Sequence, residues 1–264
     1  MRATQVLAAI ALAAASVIVG QSPARASLVG YWDFGDSANL GADSSGNNYT
    51  LNVYGGATAA AGGGVVLDGT GYLQASAYAS NFPSLIPTGN QPYTLEAQFA
   101  TTAQALMVLV QWGWGSASNA NALSVFTAGS PTTAGNNWWG PDLNYNSSIL
   151  NNGQEHELVA SWDGTTRDLY LDGTLVASDT PTQPNVVGAN FDIGRATWYG
   201  TIEYFIGTIY DVAVFNTALT AAQVNTALDI TLSGNDVPEP ASLTLLVGGV
   251  GGLAVSRRRR MLRI

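Results

Sequence analysis

SWDGTTRDLYLDGTLVAS, residues 161–178, reverses the chain twice within a short span. On the run entering it, Leu158, Ala160 and Trp162 alternate with Glu157, Val159 and Ser161; on the next, Leu169 and Leu171 flank Tyr170. Successive side chains of a strand point to opposite faces, so this period of two predicts strands with one apolar face. Asp172-Gly173 suits a type I′ turn, which needs positive φ at both central positions, and Asp163-Gly164 begins a longer turn. The stretch is a pair of consecutive hairpins, and it commits this part of the chain to an antiparallel sheet.

Strand-like runs continue on both sides: Leu28 to Phe34, Thr50 to Tyr54, Val65 to Asp68, Tyr72 to Ala75, Tyr93 to Thr101, Leu106 to Trp112, Ala122 to Thr127 and Ile206 to Phe215. Turn residues separate them, often at the spacing of a sandwich or barrel. The low share of charged residues, with abundant Gly, Asn, Thr, Ser and Ala, is typical of a loop-rich β protein, and apolar and aromatic residues recur too closely for disorder. Thr220-Ala221-Ala222-Gln223 reads as a capping box opening one short helix to about Leu228.

The charges sort by region. Seven of the nine basic residues lie at the two ends, so residues 27–236 keep only Arg167 and Arg195, with no lysine. Two cations against 17 acids leave that region at −15, a surface that repels nucleic acid and tolerates neutral polymers. The chain has no cysteine, which excludes thiol chemistry, and its only histidine, His156, limits histidine triads and excludes multi-histidine zinc sites. A strand-end hydrogen bond is the expected role of His156.

Taken together, LVGYWDF, Asp43-Ser44-Ser45-Gly46-Asn47, LDGTGYL (67–73), YTLEAQF (93–99), HELVASWDGTTRDLYLDGTLVA (156–177), FDIGRA (191–196) and GTIYDVAVFNTALTAAQV (207–224) form an ordered set. This set resembles the laminin-G-like branch of the concanavalin A-like lectin/glucanase superfamily. The resemblance implies an all-β jelly-roll sandwich of two antiparallel sheets, one convex and one concave, over residues 27–232. Glucanases of that superfamily use a Glu-x-Asp-x-Glu or Glu-x-Asp-x-x-Glu strand, whose alternation brings acid and nucleophile to one face. No such strand occurs here; Glu155-His156-Glu157 comes nearest and lacks the third acid.

Aromatic residues in Gly/Asn-rich contexts (QWGWG, NNWWG, TWYGT) are the better binding signal, because a flat, partly exposed ring with hydrogen-bonding neighbours stacks on the apolar face of a sugar. Trp114, Trp138, Trp139, Trp198 and Tyr199 are the candidate ligand-binding residues. Core filling is the alternative for each ring, and adjacent Trp138 and Trp139 point to opposite faces if they lie on a strand. The resemblance also implies a structural calcium ion at Asp211 in GTIYDVAVF; Asp43 with the carbonyls of its Ser-Ser-Gly-Asn loop is the first choice of partner and Asp33 the second. An aspartate within an otherwise apolar strand needs a compensating charge when buried. Simple exposure of Asp211 to solvent is the alternative.

Both termini carry targeting signals. Arg2, the apolar run Val6 to Gly20 and Ala24-Arg25-Ala26 read as a secretory signal peptide, residues 1–26, cut after Ala26. Residues 233–264 hold Pro238, Glu239 and Pro240, an uncharged segment over 241–256, and Arg257, Arg258, Arg259 and Arg260. Sixteen residues at about 1.5 Å each span about 24 Å, under the roughly 30 Å of a bilayer core, so this membrane segment spans only marginally. A buried core helix with a basic tail is the alternative, which the four clustered glycines oppose. The tail resembles the PEP-CTERM sorting signal of Gram-negative bacteria. That resemblance implies transient anchoring in the inner membrane, cleavage by an exosortase-type enzyme, and delivery to the cell surface or extracellular matrix. The expected function is an exported, non-catalytic carbohydrate-binding or adhesion module of the exopolysaccharide matrix; a passive matrix protein and a divergent polysaccharide-active enzyme are the alternatives.

Overall fold

The computed structural model describes residues 28–75, 86–113, 118–198 and 201–225. Trp114, Tyr199 and the residues of both targeting segments, from Ala24 and Ala26 to the Pro-Glu-Pro triplet and the arginine cluster, lie outside the described residues. In chain order the strands are β1 (Leu28–Trp32), β2 (Asn52–Tyr54), β3 (Thr58–Ala59), β4 (Val65–Asp68), β5 (Tyr72–Gln74) and β6 (Tyr93–Ala100). Next come β7 (Leu106–Gly113), β8 (Ala120–Phe126), β9 (Thr132–Asn137), β10 (Leu143–Ser147), β11 (His156–Trp162) and β12 (Arg167–Leu171). The last are β13 (Thr174–Asp179), β14 (Asp192–Ile193), β15 (Arg195–Trp198), β16 (Thr201–Tyr204) and β17 (Ile206–Phe215).

They build two large antiparallel sheets packed as a sandwich. One has the order β13-β12-β11-β6-β17-β4-β3, with β1 also on β17; the other has the order β10-β9-β8-β7-β14-β5-β2; β15 and β16 form a separate hairpin. The long β17 accommodates two neighbours on one edge, β4 along 206–209 and β1 along 212–215.

The quoted hairpins form as expected. Asp172 and Gly173 have φ of 49° and 71°, the positive pair of a type I′ turn, and Leu158 to Trp162 face Leu171 to Arg167 in register. Asp163 Oδ1 closes the other turn by accepting the Thr165 and Thr166 amides. Leu158, Ala160, Trp162, Leu169 and Leu171 enter the core between the sheets. The opposite face of the same strands is covered too. Val159 and Tyr170 pack with Ala213 and Phe215, beside Leu28 and Tyr31 of β1 and under Leu219 and Val224 at the C-terminal helical turn. That turn opens at 221 on the expected capping box: the Gln223 amide donates to Thr220 Oγ1, and the Thr220 amide donates back to Gln223 Oε1.

Arg167 is completely buried and joins the two sheets. Its Nε and Nη2 donate to Asp179 on β13, while Nη1 and Nη2 reach across to the carbonyls of Asn136 (3.2 Å) and Pro141 (2.8 Å). The guanidinium lies 4.0 Å from the centroid of the Trp138 ring. Trp138 Nε1 donates to Tyr93 Oη (3.0 Å), which donates to Asn136 Oδ1 (2.9 Å), and Asn136 Nδ2 donates to Asn121 Oδ1 (2.7 Å). Burial raises the Tyr93 phenol, which therefore stays a donor. Removing one partner of such a buried charge network costs about 3–5 kcal/mol. Arg167→Met is accordingly expected to lower the unfolding free energy in urea by about 3 kcal/mol or more, with a fall in Tm of roughly 6–12 °C.

Candidate functional site

Strands β7 to β10 carry a groove on the face of their sheet that points away from the core. Leu106, Val108, Ala122 and Ser124 supply one side, and Asn137, Trp139, Asp142 and Glu203 complete one end. The groove continues over Phe126, Thr133, Asn144 and Asn146. On the β9 and β10 side its floor is made of short polar side chains, because the outward positions there are Thr, Gly and Asn, while β7 and β8 contribute the apolar Leu106, Val108, Ala122 and Phe126. The Thr133 hydroxyl donates to Asn146 Oδ1 (3.0 Å), and the Ser124 hydroxyl donates to Asn137 Oδ1. Gly135 keeps this floor open, since a Cβ there would collide with Asn144 Oδ1.

Trp138 and Trp139 part company, as adjacent strand-end residues must. Trp138 is fully buried, stacked edge-on against Trp162 and bonded to Tyr93, so it is withdrawn as a ligand-binding residue. Trp139 is half-buried and lines the groove. It holds a left-handed backbone (φ 64°), uncommon for a bulky residue. Asp142 Oδ1 makes that conformation possible by accepting the amides of Trp138 (2.9 Å), Trp139 (3.0 Å) and Gly140 (3.4 Å). Trp198 lies on β15, whose hairpin packs on the same sheet face through Ala196, buried with Val108, Ala120 and Ala122. Trp112, the other QWGWG ring, fills the core and donates to the Pro87 carbonyl.

A model of the concanavalin A-like lectin/glucanases superfamily matches residues 67–225, more than half of the chain. The chain belongs to this superfamily. The PEP-CTERM protein-sorting motif matches residues 236–260. No curated protein matches the sequence. Among solved structures, domain 4 of AbnA, a GH43 extracellular arabinanase from Geobacillus stearothermophilus in complex with arabinotriose, is similar over 76% of this chain and 98% of that one, with 21% identity and a TM-score of 0.59. The CBM40 of Ruminococcus gnavus IT-sialidase bound to α2,3-sialyllactose is similar over 62% of this chain and 95% of that one, with 18% identity and a TM-score of 0.51. At these identities the likeness is one of fold.

On this concanavalin A-like frame the calcium candidates separate. Asp43 Oδ1 accepts the amides of Tyr31 and Ser45, and Oδ2 accepts the Ser45 hydroxyl and the Tyr49 amide. It staples its own loop to β1, and with both oxygens committed it is not the partner of Asp211. Asp33 Oδ1 accepts the Gly35 amide. Nor does Asp211 face solvent: it is 8% exposed and its Oδ1 has no hydrogen-bond partner. Register sets Gln98 between Glu157 and Asp211, and Glu96 between Val159 and Ala213, so these acids share the covered face of the eight-stranded sheet. Among the described residues no group of three or more His, Cys, Asp or Glu is drawn together to hold a metal ion. His156, by contrast, takes its expected place at the strand end, between Asp172 and Asn152.

Burial, followed by the negative fields of Glu157 and Glu155, pushes the Asp211 carboxyl up to about 7. Burial and then Asp172 push Glu157 up to about 7, and burial, Asp211 and Glu157 raise Glu96 well above the usual carboxylate range. A carboxyl raised in the folded state binds its proton more tightly there than in the unfolded chain. Its stabilising contribution is therefore full at low pH and is lost as pH rises through the folded value. Stability measured by urea unfolding is expected to fall between roughly pH 4.5 and 7.5. Glu157→Gln, which removes one of the carboxyls that ionise in this window, should raise stability at pH 7.5 and flatten the slope; an unchanged slope would refute the coupling.

Proposed function

We propose that this protein is an exported carbohydrate-binding module without catalysis of its own, and that it takes a neutral glycan in the groove over β7–β10. Trp139 carries the proposal. Its indole is held by a fixed turn beside a floor of hydroxyls and amides, the pairing of flat apolar surface and short polar groups that a sugar ring requires. The charge of the ligand follows from the arginines. Arg167 is buried in its own network and Arg195 is paired with Asp192, which leaves residues 27–236 no further cation for a sialyl or uronyl group. Asp142 and Glu203 at the groove add negative charge there. An uncharged chain such as the arabinotriose in complex with the arabinanase domain meets these conditions better than the sialyllactose bound to the CBM40.

A glycosidase would need two carboxyls free to exchange protons or attack carbon. Asp142 Oδ1 instead accepts three backbone amides, which supports binding over hydrolysis. The sorting motif over 236–260 supports export, exosortase processing at Pro238-Glu239-Pro240, and transient inner-membrane retention by 241–256 and the four arginines, in a Gram-negative host. A calcium ion at Asp211 belongs to the proposal with Asp33, the second choice, as its partner. A hard cation with oxygen ligands would supply the positive charge that this acidic face lacks.

Three measurements test this reading. In a glycan array, binding is expected for neutral polysaccharides and not for sialylated ones, and Trp139→Ala should weaken it by about tenfold. Reducing-sugar release from the bound polysaccharide should be absent; its appearance would favour the enzyme. Calcium in millimolar amounts should raise Tm relative to EDTA in the wild type but not in Asp211→Ala, and equal melting in all samples would remove the ion.

A further inference from the structure

The polar face of the seven-stranded sheet does not end at the groove. Strand register aligns Asn137 with Ala122, Ala122 with Gln111, Gln111 with Asp192, Asp192 with Gln74 and Gln74 with Asn52. Their neighbours Leu123, Val110, Ile193 and Leu73 point into the core, so the rung lies on the outer face. Five of its six side chains are polar. At about 4.8 Å per strand, five spacings make a path of about 24 Å. Trp139 lies beyond one end, and the stacked pair Tyr54 and Tyr72, 4.9 Å between centroids, flanks the other.

The β15–β16 hairpin crosses the middle of this path. The contacts that hold it include the buried Ala196 methyl, the bond from Arg195 Nη2 to Asp192 Oδ1 (3.1 Å), the Arg195 guanidinium over Tyr72 at 3.5 Å, and the Tyr204 ring beside Tyr72, 6.2 Å between centroids. Beneath it the polar atoms do not match. Gln111 is fully buried and neither its Nε2 nor its Oε1 has a partner; Asp192 Oδ2 and Arg195 Nε are also unbonded. A buried amide without partners is costly, and a surface meant only to be covered is better made of residues such as the neighbouring Val108 and Ala122.

We propose that Gln111 and Asp192 are glycan-binding residues, that the β15–β16 hairpin is their removable cover, and that a linear neutral glycan lies along the whole rung when the hairpin lifts. A sugar hydroxyl donates and accepts at once, which satisfies both atoms of the Gln111 amide and the open oxygen of Asp192. This rests on the neutral-glycan reading above and extends it from a short groove to a long chain.

The test is binding of dimers to octamers of arabinan, glucan and mannan by the purified protein, with Gln111→Leu, Arg195→Gln and Trp139→Ala beside the wild type. Wild-type affinity is expected to rise with chain length. Gln111→Leu should remove that rise, costing about tenfold for the longest chains, and yet melt no lower than the wild type, because it deletes an unpaired buried amide. Arg195→Gln should speed amide exchange in β15 and β16 relative to β7 and β8 and raise the association rate for long chains. A length dependence that survives Gln111→Leu, or a Gln111→Leu protein that melts lower, overturns this inference and leaves the groove reading standing. Loss of length dependence without any effect of Trp139→Ala overturns the groove reading instead. Failure of the wild type to bind any of the series overturns both.

Discussion

The buried guanidinium of Arg167 is the fixed point from which both the sandwich and its groove take their shape. Five N–H donors inside a core must all find acceptors, and here they find them on Asp179 in one sheet and on Asn136 and Pro141 in and beside the other. The turn after β9 is therefore clamped from within, while Asp142 gathers its amides from outside. Between those two clamps Trp138 has room only inward, over the guanidinium, and Trp139 is carried to the groove. Packing and groove are set by the same few bonds.

The two sheets divide the labour. The eight-stranded sheet packs one face on the core and the middle of the other under the C-terminal helical turn, and its polar residues there become a cluster of mutually raised carboxyls. The seven-stranded sheet keeps a polar outer face. That face is left as a broad, pleated array of side chains, and the proposed groove lies on it.

Where apolar alternation and turn chemistry are strong, the sequence reads directly as structure: β4 and β17 have the expected bounds, Asp172-Gly173 makes its type I′ turn, and Thr220 and Gln223 cap the helix. The strands that escape such reading are β9, TTAGNN, and β10, LNYNS, together with the short β3, β14, β15 and β16. Asn and Gly disfavour strands on their own; β9 is a strand because β8 lends it a hydrogen-bonding edge, and β10 because β9 does the same for it. The groove stands on β9 and β10, so its amides were invisible to periodicity even though NNWWG marked its end. Asp43 misled for a related reason. An Asp-Ser-Ser-Gly-Asn loop looks the same whether its carboxylate waits for a metal or, as here, ties down the backbone around it.

The scarcity of cations has a consequence for survival outside a cell. Proteases of trypsin type cut after Lys or Arg, and between residues 27 and 236 they find two such positions. Arg167 is sealed in the core, and the Arg195 side chain is only 12% exposed and pinned to Asp192. The folded domain thus offers that whole enzyme class almost nothing to grip, a durability that comes from composition and placement and needs no disulfide.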